Sequence, residues 1–380
     1  MSRMKFVFGL IAASTMTTGA LAADDVVLKP AKSATIDYAN AKAMPLPTAT
    51  NAPATIAAAT AKAAVASGPS GATAGFVGNG KTSPVTFPAP KTPVATDGGF
   101  SSQAYGTSKH PYTTALADAS GLRVTSAYPY SAAGKLFFKE GTDSYVCSAS
   151  LIKRGLVVTA AHCVMQYGSK TYYTGHVFVP GYYESGSTAY APFGQWKAAA
   201  IVAPSAYFNG TDVCADGATG VVCQNDVAVI ALKSQSSAYP GTKTGYFGYA
   251  YGTYSYADNK TAQITQLGYP VALNYGGRME RTDSTGFVDS TAVNNTVIGS
   301  QQTGGSSGGP WLVNFGMAPT ITGDAGAGQE AARNRVVGVT SWGYTNSAVQ
   351  EQGASLFTST NIAALVSRIC NSTTYKAVCQ

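Results

Sequence analysis

Three short motifs carry side chains suited to nucleophilic catalysis, and they occur in the order His, Asp, Ser. His162 ends the run Leu-Val-Val-Thr-Ala-Ala-His, Asp226 opens Asp-Val-Ala-Val-Ile-Ala-Leu, and Ser307 lies within Gly-Gly-Ser-Ser-Gly-Gly-Pro. A serine hydroxyl is a weak nucleophile until a neighbouring base takes its proton, and a neutral imidazole suits that task. A buried carboxylate then fixes the imidazole tautomer. We therefore expect His162, Asp226 and Ser307 to form a catalytic triad.

The glycines on both sides of Ser307 serve the same chemistry. They let the backbone turn sharply, so that amide N–H groups can face a reacting carbonyl group. We expect the N–H groups of Gly305 and Ser307 to form the oxyanion hole. One such donor typically lowers the activation barrier by about 2.7–4 kcal/mol.

Each motif alone also has a simpler interpretation. Gly-Ser-Ser-Gly-Gly is also a flexible turn, and an Asp before a strand is common. Asp212 and Asp216 are competing acids, although both lie in a Gly-rich loop beside Cys214. His110 and His176 lie in polar, turn-rich surroundings, where we expect solvated side chains. The ordered combination of three motifs is more specific than any one of them.

The segments around these motifs are predicted to be β-strands. From Leu122 onward, short β-branched and aromatic runs are broken by Gly, Asn and Ser, a spacing typical of an all-β barrel or sandwich. Near the C-terminus we predict one amphipathic helix, with Asn361 as its N-cap and Cys370 at its end. The apolar residues that recur there at helical spacing are Ile362, Leu365, Val366 and Ile369.

The first residues predict export. Residues 1–22 combine a basic start at Arg3 and Lys5, a short apolar stretch and the cleavage signal Ala-Leu-Ala. The stretch is too short for a membrane-spanning helix of about 20 residues. We expect a secreted or periplasmic protein without a membrane anchor in its mature form.

Residues 23–121 are rich in Ala, Thr, Pro and Ser and show no sustained periodicity. Such a segment buries too little apolar surface to offset its ordering entropy. We interpret it as a disordered pro-segment or linker, and a plain spacer without function is the alternative.

Six cysteines in an exported chain indicate disulfides. The sequence leaves several pairings open, but proximity along the chain favours Cys147–Cys163, Cys214–Cys223 and Cys370–Cys379. A zinc site formed by Cys147, His162 and Cys163 is the alternative, and it lacks a fourth ligand at the usual spacing.

Composition argues against several other classes of function. The net charge is +7, and no cluster of Lys or Arg marks a nucleic-acid-binding surface. We find no phosphate-binding loop, no metal cluster and no cofactor motif in the sequence. The Gly-rich run at 323–328 does not predict a dinucleotide site, because it lacks a strand–turn–helix context. We expect a monomer with protein or peptide substrates, no cofactor, no metal and no nucleic-acid partner.

Together, Thr-Ala-Ala-His-Cys, Asp-Val-Ala-Val-Ile-Ala-Leu, Gly-Ser-Ser-Gly-Gly-Pro and Ser-Trp-Gly resemble the trypsin-like family of serine proteases. The resemblance covers 122–380 and implies two antiparallel six-stranded β-barrels, at about 122–245 and 246–380, with the active site between them. It also implies that the bridge Cys147–Cys163 braces the histidine loop. Tyr-Pro-Tyr at 128–130, with the run around Ser307, is similar to the bacterial glutamyl-endopeptidase-like branch.

The resemblance further implies a substrate-binding wall. Ser341, Trp342 and Gly343 would pair with the substrate backbone as an added strand. Gly353 would line the far wall of the pocket for the side chain that precedes the scissile bond.

The specificity pocket departs from the familiar patterns of this family. Gln301, which we group with Gln302 in the substrate-binding set, stands where trypsin-type enzymes hold an Asp. Thr303 replaces a pocket cysteine, and Thr340 stands where glutamyl-specific relatives have a His. We predict neither a basic nor a clearly acidic substrate preference.

Activation also departs from the family pattern. Ser306 replaces the Asp that receives the new N-terminal ammonium group in the digestive enzymes, so this ion pair cannot form. We hypothesise that the pro-segment is a removable extension or folding aid, and that cleavage after Arg123 frees Val124.

These observations favour an exported serine endopeptidase that acts through an acyl-enzyme. The alternative is a catalytically silent family member that binds peptides or cell surfaces, but the intact triad argues against it. An esterase or lipase of the α/β-hydrolase type would order its triad Ser, Asp, His, which this chain contradicts.

Overall fold

The computed structural model describes residues 25–49, 71–90, 110–118, 122–252, 261–289, 295–316, 333–346 and 348–380. The expected signal peptide, 1–22, lies outside the described residues. Among the helices within these ranges, none has the length and apolar character needed to cross a bilayer.

Strands dominate the described residues. In chain order they are β1 (Val26–Pro30), β2 (Lys42–Ala43), β3 (Thr48–Ala49), β4 (Gly71–Ala72), β5 (Val85–Pro88), β6 (Tyr112–Leu116), β7 (Ala133–Glu140), β8 (Asp143–Lys153), β9 (Leu156–Thr159), β10 (Thr174–Pro180), β11 (Tyr183–Ser185), β12 (Thr188–Ala191), β13 (Trp196–Pro204), β14 (Ala228–Leu232), β15 (Gly248–Tyr251), β16 (Thr261–Gly268), β17 (Glu280–Asp289), β18 (Asn295–Gly299), β19 (Pro310–Val313), β20 (Arg335–Val339), β21 (Trp342–Tyr344) and β22 (Glu351–Ser355).

Helices are short. They are α1 (Ser205–Asn209), α2 (Gly241–Thr244) and α3 (Ala364–Cys370), with a π turn at Ser359–Ala363 and 3-10 turns at Tyr38–Asn40, Val124–Ser126, Tyr130–Ala132, Ala161–Cys163, Asn274–Gly276 and Lys376–Cys379.

Six strands close the first barrel. The antiparallel order is β7, β8, β9, β14, β13 and β10, and β10 returns to β7. Large apolar side chains fill the interior, among them Phe137, Phe178 and Ile201. Closure leaves no free edge, because each strand of the ring finds a partner on both sides.

The second barrel closes through one interrupted strand. The antiparallel order is β16, β19, β20, and on the other side β16, β17, β18, β22. β21 continues the path of β20 and pairs with β22, which completes the ring. Ile264, Trp311 and Val337 are buried inside it. The predicted all-β architecture with two barrels is confirmed.

The predicted C-terminal helix is confirmed, but its N-cap was assigned wrongly. The hydroxyl of Thr358 accepts a hydrogen bond from the backbone N–H of Asn361, whose side chain in turn accepts from the Thr358 N–H. Asn361 therefore occupies the N3 position of a capping box, and the N-cap is Thr358, three residues earlier. The four apolar residues predicted at helical spacing are all buried.

The expected disorder of residues 23–121 is wrong for the described stretches 25–49, 71–90 and 110–118. Each of their strands pairs with a later one: β1 with β13, β2 with β8, β3 with β21, β4 with β15, β5 with β12 and β6 with β17. Backbone pairing at a sheet edge needs no alternation of apolar side chains, so the low-complexity sequence did not reveal it.

Three disulfides brace the structure. They join Cys147 to Cys163, Cys214 to Cys223 and Cys370 to Cys379, which are the pairs favoured by chain proximity. Because the sulfurs of Cys147 and Cys163 are bonded to each other, neither is available as the thiolate ligand that the zinc alternative required.

Candidate active site

Strand pairing in the first barrel brings His162 to Asp226. His162 lies on the 3-10 turn just after β9, and Asp226 lies just before β14, which is antiparallel to β9 with Ala228 opposite Thr159. The His162 Nδ1 is 2.8 Å from Asp226 Oδ2, and the backbone N–H of His162 donates to Oδ1 at 2.9 Å. Asp226 thus holds both the imidazole and the turn that carries it.

The Asp226 carboxylate is buried and supplied with donors from both barrels. Its Oδ2 also accepts a hydrogen bond from the hydroxyl of Ser341, in the second barrel. Its own backbone N–H donates to Ser355 Oγ at 2.9 Å. A buried carboxylate is costly unless it is hydrogen-bonded, so these contacts stabilise Asp226 at the junction of the barrels. The role of Ser341 as a donor to Asp226 was not predicted.

The competing acids have other positions. The Asp212 carboxylate accepts from the backbone N–H of Asn225 at 2.8 Å and from its side-chain amide at 2.6 Å. Burial raises the pKa of Asp212. Asp212 thereby fixes the residue that precedes Asp226, while Asp216 is exposed.

Ser307 lies on a turn that requires glycine on each side. Gly305 has φ +89° and Gly308 has φ +78°, both in the region that favours glycine. The Ser307 carbonyl accepts from the Ser148 N–H at 2.7 Å, and Ser148 Oγ donates to the Gly305 carbonyl at 2.9 Å. The turn that carries Ser307, in the second barrel, is therefore hydrogen-bonded to β8 of the first barrel.

Gly308 also brings the serine turn close to the histidine strand. A Cβ atom at Gly308 would lie 2.0 Å from Thr159 Oγ1 and 2.4 Å from the Ser148 carbonyl oxygen. Thr159 is the last residue of β9, three positions before His162. The missing side chain therefore lets the turn that carries Ser307 and the strand that precedes His162 approach each other.

The two atoms that would exchange a proton are both available. Ser307 Oγ and His162 Nε2 are buried, and neither has a hydrogen-bond partner among the described residues. Catalytic hydrogen bonds are often long without substrate and tighten when substrate binds.

The expected substrate-binding wall is one continuous piece of the second barrel. The Ser341 N–H donates to the Gly353 carbonyl at 2.9 Å, and Trp342 lies opposite Gly353 in the β21–β22 pair. The indole ring of Trp342 covers Gly353, where a Cβ atom would lie 2.0 Å from Cε2. Its Nε1 donates to Asn295 Oδ1 at 2.7 Å, which fixes the ring.

The polar side chains of the expected pocket are neutral and mostly engaged inside the barrel. Thr340 Oγ1 accepts from Gln266 Nε2 at 2.7 Å and from Trp311 Nε1 at 3.0 Å. Gln302 is buried, and its Nε2 donates to Thr282 Oγ1 at 3.2 Å. Gln301 is half-buried.

The predicted solvation of His110 and His176 is wrong, because both are buried. His176 Nε2 lies 3.2 Å from the Cys163 carbonyl oxygen, behind the His162 turn, and burial lowers the pKa of His176 to about 4. His110 Nε2 lies 2.6 Å from the Thr285 carbonyl oxygen. Neither touches the His162–Asp226 pair in the described contacts.

These two closed antiparallel barrels, with a buried His–Asp pair and a glycine-flanked serine at their junction, define a double-barrel protein with a site suited to acyl transfer. The family model for trypsin matches residues 122–365. The chain therefore belongs to the trypsin family of serine endopeptidases.

The solved structures that this chain resembles include three proteases. The protease Anisep from Arthrobacter nicotinovorans is 23% identical, with a TM-score of 0.47 over 66% of this chain and 96% of that one. The thermostable serine protease AL20 from an extremophilic microorganism is 23% identical, with a TM-score of 0.43 over 60% and 93%. A Glu endopeptidase bound to MPD is 23% identical, with a TM-score of 0.44 over 67% and 94%. No curated protein matches the sequence significantly.

Proposed function

We propose that this chain is an exported serine endopeptidase in which His162 is the general base, Asp226 orients it and Ser307 is the nucleophile. The observation that carries the proposal is the buried Asp226 carboxylate, which binds His162 Nδ1 at 2.8 Å. With the Nδ1 proton directed at Asp226, the Nε2 lone pair is free to accept a proton.

The reaction follows from these positions. Ser307 Oγ attacks the carbonyl carbon of the peptide bond while His162 Nε2 takes the hydroxyl proton. The N–H groups of Gly305 and Ser307 stabilise the oxyanion that forms. His162 then gives the proton to the leaving amine, and a water molecule hydrolyses the acyl-enzyme by the same path.

Other features support export and processing. All six cysteines are paired in disulfides, which persist in oxidising compartments. The proposed processing site follows Arg123, whose side chain is exposed. The neutral side chains at Gln301 and Thr340 support a substrate preference that is neither basic nor clearly acidic.

The test is prolonged labelling of the purified chain with a fluorophosphonate, followed by mass spectrometry of the labelled peptide. We expect one label on Ser307, which is lost in Ser307→Ala and retained in Ser306→Ala. Ser306 is a matched control, because it is equally buried but its hydroxyl donates to the Thr303 carbonyl at 2.7 Å. A folded chain that takes no label would support the silent, peptide-binding alternative.

A further inference from the structure

Residues 42–48 of the N-terminal region cross the proposed cleft from one barrel to the other. At the first barrel, Lys42 and Ala43 pair with Tyr145 and Val146 of β8, and the Met44 N–H donates to the Val146 carbonyl at 2.9 Å. At the second barrel, the Gly343 N–H donates to the Pro47 carbonyl at 2.9 Å. The segment therefore occupies the strand position expected for a substrate.

The same segment engages the proposed oxyanion hole. The Gly305 N–H, one of its two expected donors, points at the Met44 carbonyl oxygen at 3.0 Å. Ala43 lies over the same turn, because a Cβ atom at Gly305 would be 3.6 Å from Ala43 Cβ. The Gly305 donor cannot bind a developing oxyanion while Met44 holds it.

The segment runs opposite to a substrate. The pocket beside Ser341–Gly343 is assigned to the side chain that precedes the scissile bond, so a substrate places its N-terminal side along this strand. Here the residues along the strand come after Met44, and Thr48 pairs with Gly343 in parallel. The nitrogen that follows the Met44 carbonyl therefore lies on the side where the acyl half of a substrate is held.

Side chains and prolines strengthen the binding of residues 42–48 to the proposed cleft. Met44 and Leu46 are buried, although Pro45 between them is exposed. A Cβ atom at Gly343 would lie 2.8 Å from Leu46 Cδ2, so Leu46 rests directly on the proposed substrate strand. Pro45 and Pro47 restrict φ, which lowers the entropy lost when the segment is held in an extended form.

We propose that residues 42–48 are a built-in inhibitor that closes the active site by binding it in the reverse direction. This inference rests on the proposed function, since it assigns the regulation of the same site. It gives the N-terminal region a role beyond that of a removable extension: the barrels and the glycine turn are already assembled, and the cleft opens when this segment leaves. Activation then requires release of residues 42–48, whether or not cleavage also occurs after Arg123.

The first arm of the test compares rates of fluorophosphonate labelling in the full chain. Leu46→Ala weakens the binding of residues 42–48 to the cleft, and we expect Ser307 to be labelled roughly tenfold to hundredfold faster than in the wild type. Val85→Ala is the matched control, because Val85 is an exposed aliphatic residue on β5 and lies opposite Ala191 of β12 rather than opposite either proposed substrate-binding strand. Its labelling rate should equal that of the wild type. Met44→Ala is a second variant, should Leu46→Ala not fold.

The second arm does not depend on catalysis. Amide hydrogen exchange of the peptide that contains Gly343 should be slow in the wild type and in Val85→Ala, and at least about tenfold faster in Leu46→Ala. Equal rates of exchange and equal rates of labelling in all three chains would overturn the proposal that residues 42–48 inhibit the site. Faster exchange in Leu46→Ala, with no label on any chain, would confirm that the segment covers the cleft and overturn the proposed function instead.

Discussion

Gly308 offers a sensitive test of how the barrels hold Ser307, the proposed nucleophile, because a matched glycine exists elsewhere in the chain. Gly308 and Gly316 both have φ +78°. A Cβ atom at Gly316 would meet nothing within 4 Å, whereas one at Gly308 would lie 2.0 Å from Thr159 Oγ1 and 2.4 Å from the Ser148 carbonyl oxygen. The two substitutions to Ala therefore share the backbone strain and differ in the clash.

The magnitudes follow from that difference. The left-handed conformation costs a residue other than glycine about 1–2 kcal/mol, and overpacking against fixed neighbours adds about 1–3 kcal/mol. We expect Gly316→Ala to lower the free energy of unfolding by about 1–2 kcal/mol and Gly308→Ala by about 2–5 kcal/mol. Displacement of Ser307 by about 1 Å would also slow its reaction about a hundredfold.

Urea unfolding and the rate of phosphonylation of Ser307, measured in the Leu46→Ala background, check both effects. Gly316→Ala should keep the full labelling rate. If Gly308→Ala matched Gly316→Ala in both stability and labelling, the close approach of the serine turn to β9 would not be what aligns the site.

Two further changes probe the surroundings of the site. Ser341→Ala removes a donor to the buried Asp226 carboxylate. Because a hydrogen bond to a charged group contributes about 1.5–3 kcal/mol, kcat/KM should fall at least about tenfold. Ser150→Ala should leave kcat/KM unchanged, because the buried Ser150 hydroxyl has no partner among the described residues, and an equal loss in both variants would refute the role of Ser341. The second concerns His176, whose buried imidazole has a pKa of about 4, below its ordinary value. Below pH 6.5, the ordinary pKa of histidine, the imidazole is protonated in the unfolded chain but stays neutral in the folded chain. The free energy of unfolding should therefore decrease as the pH falls from 6.5 to 4, by roughly 3 kcal/mol from this group. His176→Gln should remove that part of the acid sensitivity in unfolding curves at several pH values, and an unchanged slope would contradict it.

Much of the fold was predictable because local sequence and packing agree. Strand runs such as Leu156–Thr159 and Ala228–Leu232 are apolar and β-branched, and they are buried as the pattern predicts. The C-terminal helix shows its buried face at helical spacing. Its N-cap was misassigned because Thr358 and Asn361 are both good capping residues, and only the geometry distinguishes them.

The burial of His176 was partly readable. His176 and Phe178 are two positions apart on β10, so they share one face of the strand, and alternation predicts that both point inward. His110 gave no such signal. Its ring lies against Thr285 and Glu351, which are distant in sequence.

The occupied cleft could not be inferred from the sequence. Residues 42–48 bind largely through backbone N–H and carbonyl groups, which every residue carries, and the two-residue strands β2 and β3 are too short to show a period. The motifs identified candidate reactive groups, whereas only the fold shows which segment lies against the turn that carries Ser307.

The most direct test of the central claim is the rate constant for phosphonylation of Ser307 in the Leu46→Ala chain, with and without His162→Ala. If His162 is the base that activates Ser307, its removal should lower this rate by a factor of about 10²–10⁴. An unchanged rate in a folded His162→Ala chain would show that Ser307 is not activated by the His162–Asp226 pair.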